Sequence, residues 1–290
     1  MEKKKILIFL AFCFGISYLT AGIFHWCGGD YQSVWGFLLA SVYMFFPLIS
    51  VLLTQLVTGE KLFSGIGLSF RLNRWWWIGW LLLIPLPILL SLPVSALFPG
   101  VSLSVENETL LQSIDAMKAQ GLPLGPGGLF VFTLLSGLVA GLTINAVMAF
   151  GEESAWRGFL YRCLNGMGFW KKSLVIGTIW GLWHAPIILM GHNYPGHPVA
   201  GVFMMVAFCV LLTPLMIFIR EKSESVIMAA VAHGTVNALA GIAIVYLSGY
   251  NELLSGFAGL AGFIVLALCN LLIFLFTRSS KTPCTDENKV

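Results

Sequence analysis

The stretch MEKKKILIFLAFCFGISYLTAGIFHW, residues 1–26, decides the fold. Lys3, Lys4 and Lys5 stand directly before an apolar run from 6 to 26. At about 1.5 Å per helical residue, that run is long enough to cross a hydrocarbon core of about 30 Å. A basic start followed by an apolar run also opens a secretory signal peptide. No small-x-small cleavage site precedes the polar turn Cys27-Gly28-Gly29-Asp30, so the run reads as a retained first span.

Working outward, seven further segments have span length and composition: 34–56, 75–98, 128–151, 173–190, 200–219, 226–247 and 256–276. The fifth of the eight is the shortest and the seventh the least hydrophobic. Threading eight spans with the N-terminus inside puts 15 of the 16 Lys and Arg on the inner face, leaving only Lys118 outside. The positive-inside rule asks for this bias, and seven or nine spans would scramble it. The expected fold is therefore all-α: a polytopic bundle of about eight transmembrane helices, with both termini cytoplasmic and one integral membrane domain over 1–290. Composition agrees, because the chain is 58% hydrophobic and only 10% charged, whereas soluble domains carry about 25% charged residues. Membrane lipids are one partner. No basic run is interleaved with aromatics, so nucleic acid is not.

Several local features follow from the same threading. The outer connection 99–126 carries Leu110, Leu111, Ile114 and Met117 opposite Glu108, Gln112, Asp115 and Lys118, the pattern of an amphipathic helix on the outer leaflet. Asn107-Glu108-Thr109 within it is a sequon, idle outside a glycosylating compartment. Trp75, Trp76 and Trp77 follow Arg74 as an inner interfacial belt, and Pro85, Pro87 and Pro93 bend the third span. The six cysteines (Cys13, Cys27, Cys163, Cys209, Cys269 and Cys284) lack C-x-x-C or zinc-finger spacing and read as ordinary apolar-phase thiols.

Ionisable residues within spans cost about 2.5–3.5 kcal/mol each on insertion scales and usually serve function. They collect in three places. Glu152-Glu153-Ser-Ala-Trp-Arg157 closes the fourth span, where Glu153 and Arg157 are four apart and pair on one helical face, directing Glu152 elsewhere. Trp180 and His184 share a face of the fifth span. His233 and Asn237 lie one turn apart on the seventh, among small residues that permit close helix approach. Each alone also reads as a span-ending charge cluster or an interhelical hydrogen bond. A shared polar intramembrane cavity, open to the cytoplasm, accounts for all three at once. His184 lies deeper than Glu152, so a short or re-entrant fifth span is needed to bring them level. His25, His192 and His197 sit at or beyond outer span ends and read as surface residues.

Glu-Glu-x-x-x-Arg, aromatic-x-x-x-His and His-x-x-x-Asn, in that order on separate spans, resemble the CPBP family of intramembrane proteases. That family includes CAAX prenyl endopeptidases of the Ras-converting type and prokaryotic relatives linked to bacteriocin self-protection or processing. The resemblance covers a catalytic core of about 150–237. It implies that Glu152 and His184 hold and deprotonate the attacking water, while His233 and Asn237 donate to the developing oxyanion. Glu153 and Arg157 take the supporting positions. Trp180 stands where the family more often has phenylalanine, a departure expected to affect packing rather than chemistry.

Elementary chemistry agrees with that implication. Peptide hydrolysis needs an activated water, a general base and preorganised oxyanion donors, and no serine or cysteine pairs recognisably with these histidines. The expected cofactor is none. Were zinc bound, Glu152, His184 and His233 would be its ligands with one position open, but there is no H-E-x-x-H motif. The expected substrate is a peptide or lipidated protein, including prenylated CAAX types. A non-enzymatic alternative uses the same cavity for ligand binding, transport or bacteriocin immunity, although no inverted repeat supports a transporter. The last residues, Glu287 to Val290, do not form a CAAX box, because Cys284 lies too far from the end.

Overall fold

The structure is a computed structural model, and it describes residues 2–279. Cys284, Lys281, Lys289 and the terminal tetrapeptide lie outside the described residues. In chain order the helices are α1 (Glu2–Trp26), α2 (Val34–Tyr43), α3 (Phe46–Thr58), α4 (Arg74–Ile78), α5 (Pro85–Ser95), α6 (Glu108–Ala119), α7 (Pro126–Leu142) and α8 (Ile144–Glu153). They continue with α9 (Tyr161–Cys163), α10 (Phe169–Trp183), α11 (Ala185–Leu189), α12 (Pro198–Ser223), α13 (Val226–Leu239), α14 (Ile242–Tyr246) and α15 (Leu260–Ser279). π-helical segments, Gly79–Leu83 and Ser154–Leu160, join α4 to α5 and α8 to α9. One antiparallel pair of two-residue strands, β1 (Ser102–Leu103) and β2 (Leu247–Ser248), pins the long third connection to the end of α14.

This is an all-helical, multi-pass integral membrane protein. Among the described residues six helical stretches are long and apolar enough to span: Glu2–Trp26, Val34–Thr58, Arg74–Ser95, Pro198–Ser223, Val226–Tyr246 and Leu260–Arg278. α7 and α8–α9 make a seventh if taken together, bent by 50°. The expected fifth span is the exception. It is α10 and α11, 15 and 5 residues long, broken at His184 because Pro186 cannot continue the α10 hydrogen-bond ladder. Among the described residues the spanning count is therefore six, or seven with the bent pair, and the expected eight was approximate.

The breaks follow local chemistry. Pro85 has no N–H for the carbonyl four residues earlier, and the third span goes through a π-helical segment before restarting there. At Thr143, with φ −113° and ψ −101°, α7 ends and α8 departs at an angle. The Asn145 amide donates to the Gly234 carbonyl at 3.3 Å, tying that break to α13. Gly234 permits the approach, since a Cβ there would lie 2.7 Å from the Ala146 nitrogen. Gly151 plays the same part on the other side of α8, where a Cβ would strike the Met44 carbonyl at the α2–α3 break.

The third connection does contain a helix, α6. Leu110 is fully buried and Ile114 and Met117 pack against the core, whereas Leu111 is exposed. The buried stripe is thus narrower than the sequence pattern. Asn107 of the sequon caps α6 by accepting from the Leu110 amide at 2.8 Å, while its own amide donates to the Val245 carbonyl at 2.7 Å.

Basic residues from distant connections meet at one end of the bundle. Glu60 accepts from Lys5 at 2.5 Å and from Arg162 at 2.9 Å. The Tyr161 ring takes the Lys172 ammonium at 4.0 Å and the Arg220 guanidinium at 4.3 Å. α13 is the most enclosed span, with 67% of its best apolar window buried against 22% for α1.

Candidate active site

α8 delivers Glu152 and Glu153 to the bundle centre, and the π-helical segment carries the chain on from them. Glu153 and Arg157 form the expected pair, with Nη1 donating to Oε1 at 2.9 Å and both side chains fully buried. The same Oε1 accepts from His233 Nδ1 at 2.8 Å. Arg157 Nη2 reaches the Thr213 hydroxyl at 3.4 Å. Glu153 Oε2 and Arg157 Nε are buried without a partner among the described residues.

Glu152 is only 2% exposed. Its Oε2 accepts from two indoles, Trp180 Nε1 at 2.6 Å and Trp156 Nε1 at 3.3 Å. Trp156, four residues beyond Glu152 in the π-helical segment, is a partner that the sequence reading did not name, and one sequence expectation needs correction. Trp180 does more than pack: its indole N–H is a donor that phenylalanine lacks, so the departure from the family pattern reaches the glutamate itself. Glu152 Oε1 makes no protein hydrogen bond among the described residues.

Trp180 is the hub of the cluster. Arg157 lies over its ring at 4.3 Å, the His233 ring meets it edge-on at 5.3 Å, and the His184 ring is 5.9 Å away. His184 sits at the α10–α11 break, between Trp183 and Ala185. His184 Nδ1 lies 2.9 Å from the Trp180 carbonyl. A carbonyl only accepts, so Nδ1 carries the proton and Nε2 is left with a lone pair. His233 has the opposite neighbour. Its Nδ1 donates to a carboxylate already paired with arginine, so its Nε2 donates only when both ring nitrogens are protonated.

Six of the expected residues thus come together: Glu152, Glu153, Arg157, Trp180, His184 and His233. Asn237 lies one turn beyond His233 on α13, is exposed, and makes no side-chain hydrogen bond among the described residues. Two open cavities, of about 470 Å³ beside α7 and about 330 Å³ near Tyr31, are not lined by these residues. The zinc set fits poorly. Among the described residues no three His, Cys, Asp or Glu side chains are arranged to hold a metal, and Glu152 Oε2 and His184 Nδ1 are already engaged. Sequence reading passed over Trp156 and Thr213, the first hidden in the Glu-Glu motif and the second 56 residues from its partner Arg157.

Residues 126–239 match the family described as type II CAAX prenyl endopeptidase Rce1-like. This core is similar to the Rce1-like family. The match begins at the first residue of α7 and ends at the last of α13, so the Rce1-like core includes the whole bent pair α7–α8 and every buried member of the cluster. The CPBP resemblance read from three short motifs is borne out. A CAAX prenyl protease 2 of Methanococcus maripaludis is 26% identical over 162 residues. That is 54% of this chain and 52% of the relative, so the likeness spans about half of each. α1 to α6, α14 and α15 lie outside the Rce1-like match.

Proposed function

We propose that this protein is an intramembrane endopeptidase that hydrolyses a peptide bond near the cytoplasmic membrane face, using a water activated by Glu152 and no metal. One observation carries the reading: Glu152 is buried with one carboxylate oxygen held by two indole donors and the other uncommitted. A carboxylate held in that way is preorganised as a general base.

Oε1 of Glu152 takes one proton of the attacking water, and the lone pair on His184 Nε2 accepts the hydrogen bond of the other. The water oxygen then bonds to the substrate carbonyl carbon, whose oxygen becomes an oxyanion. His233 Nε2–H and the Asn237 amide stabilise that charge. One such donor is worth about 2.7–4 kcal/mol in a well-studied protease. Glu152 next gives its proton to the amide nitrogen as the C–N bond breaks, restoring the carboxylate. Charge balance supports an imidazolium at His233: Arg157 and His233 offset Glu153 and Glu152.

A prenylated CAAX-type substrate accords with the matched family, and its lipid would enter sideways from the bilayer. The basic cluster of Lys5, Arg162, Lys172 and Arg220 at one end of the bundle supports placing that end, and both termini, in the cytoplasm. The test is cleavage of a fluorogenic farnesylated CAAX peptide by purified protein in detergent, with and without a strong chelator. Cleavage that survives chelation is expected. Loss on chelation with recovery on zinc would overturn the metal-free mechanism. No cleavage of this or a non-prenylated peptide would favour the binding or immunity role.

A further inference from the structure

The Rce1-like match begins at 126, yet the helix break at His184 is contacted by side chains of the first two spans. The helix break that positions His184 also disrupts backbone pairing. Pro186 offers no N–H to the Leu182 carbonyl four residues back. The hydroxyl of Tyr18, on α1, donates to that carbonyl at 2.6 Å. The hydroxyl of Tyr43, the last residue of α2, donates to the next carbonyl, Trp183, at 2.9 Å.

The same two helices fix the side chain beside His184. The Trp183 indole donates to the Ser17 hydroxyl at 2.8 Å, and its ring packs on Tyr43 at 4.6 Å. Its other neighbours are the His184 ring, edge-on at 4.8 Å, and Trp156 at 5.8 Å. Trp156 is also a donor to Glu152. Trp183 therefore touches the His184 ring and the indole that donates to Glu152, and two side chains from outside the matched core, Ser17 and Tyr43, hold it in place.

We infer that Tyr18 and Tyr43 are positioning residues, bracing the α10–α11 break so that His184 presents Nε2 towards the water bound by Glu152. The inference rests on the proposed role of His184 in holding that water. The hydroxyls replace backbone donors that a continuous helix would have supplied, so the break is kept open without leaving carbonyls unpaired in the bundle. A displacement of about 1 Å in a catalytic group can cost about a hundredfold in rate, which is the scale on which such a brace acts.

The experiment compares Tyr18→Phe, Tyr43→Phe and the double variant with the wild type in detergent. Tyr246→Phe is the matched control, since its hydroxyl also donates to a backbone carbonyl, that of Pro126 at 3.1 Å, away from the cluster. Peptide cleavage and nitrogen-15 histidine spectra are both recorded. The double variant should lose about tenfold or more in kcat with KM unchanged. Its His184 signal should no longer report the Nδ1–H tautomer alone. Tyr246→Phe should match the wild type in both. An unchanged kcat and an unchanged His184 spectrum in the folded double variant would overturn the brace. If the wild type cleaves nothing, the proposed activity fails separately, and the spectrum alone decides whether these tyrosines hold His184.

Discussion

Two clusters in this molecule share a pattern, two basic side chains on one carboxylate, in very different surroundings. At the bundle centre Arg157 and His233 share Glu153 with no solvent contact for the acid. At the basic end Lys5 and Arg162 share Glu60, where the side chains keep 10%, 32% and 18% of their exposure respectively. The end cluster joins α1, the loop after α3 and the start of α9, and water screens it. Partly buried pairs that water still reaches are screened, and contribute about 1 kcal/mol or less. The central cluster has no such screening, and it leaves Glu153 Oε2 and Arg157 Nε unpaired. A buried ion cluster with unmet hydrogen bonds is a poor stabiliser next to an apolar core. Its retention is better explained by what it does to His233 and Glu152.

The largest effect should come from breaking the central cluster on one side. Arg157→Ala strands a buried carboxylate and should cost about 3–5 kcal/mol, read as a large drop in melting temperature in detergent. Glu153→Leu with Arg157→Met sharpens the contrast. That double variant should recover most of the lost stability yet stay inactive, because His233 Nδ1 has lost its acceptor. Stability with full activity would show the cluster to be structural after all.

Next in size is Trp180→Phe, which keeps the ring and deletes one donor to Glu152. A hydrogen bond to a charged group is worth about 1.5–3 kcal/mol, so kcat should fall about ten- to hundredfold with little change in melting. A rate equal to wild type would return Trp180 to a packing role.

The smallest effect belongs to the end cluster. Glu60→Gln should shift stability by about 1 kcal/mol or less and leave cleavage intact. Burial alone would raise the Glu60 pKa, but the bonds from Lys5 and Arg162 hold it below its ordinary 4.5. A carboxylate with a depressed folded pKa stabilises above its unfolded value and loses that contribution as pH falls through the folded one. Melting of the wild type should therefore lose a small increment below about pH 4.5 that Glu60→Gln does not show. The increment should shrink in high salt.

How much of this was legible in the sequence follows from the range of each interaction. The spans were readable because hydropathy acts along the chain. The Glu153–Arg157 pair was readable because its partners are four residues apart. The polar residues pointed to one shared site because each is expensive in a membrane. The bend at Thr143 was missed, since no proline marks it and its cause is close packing against Gly234 on another span. The role of Trp180 was misread because spacing says which face a side chain shares, not which atom it presents. Ser17, Tyr18 and Tyr43 were not legible at all. Their partners lie 140 or more residues away, and serine or tyrosine in a span carries no cost large enough to draw notice.

The most direct test of the central claim is the rate of peptide cleavage by Glu152→Gln, measured beside the wild type in the same detergent and chelator. Glutamine is nearly isosteric and still accepts from Trp156 and Trp180 through its carbonyl oxygen, so the bundle should fold and melt as before. The account predicts that cleavage disappears while folding is kept. A folded Glu152→Gln variant that cleaves at the wild-type rate would contradict it.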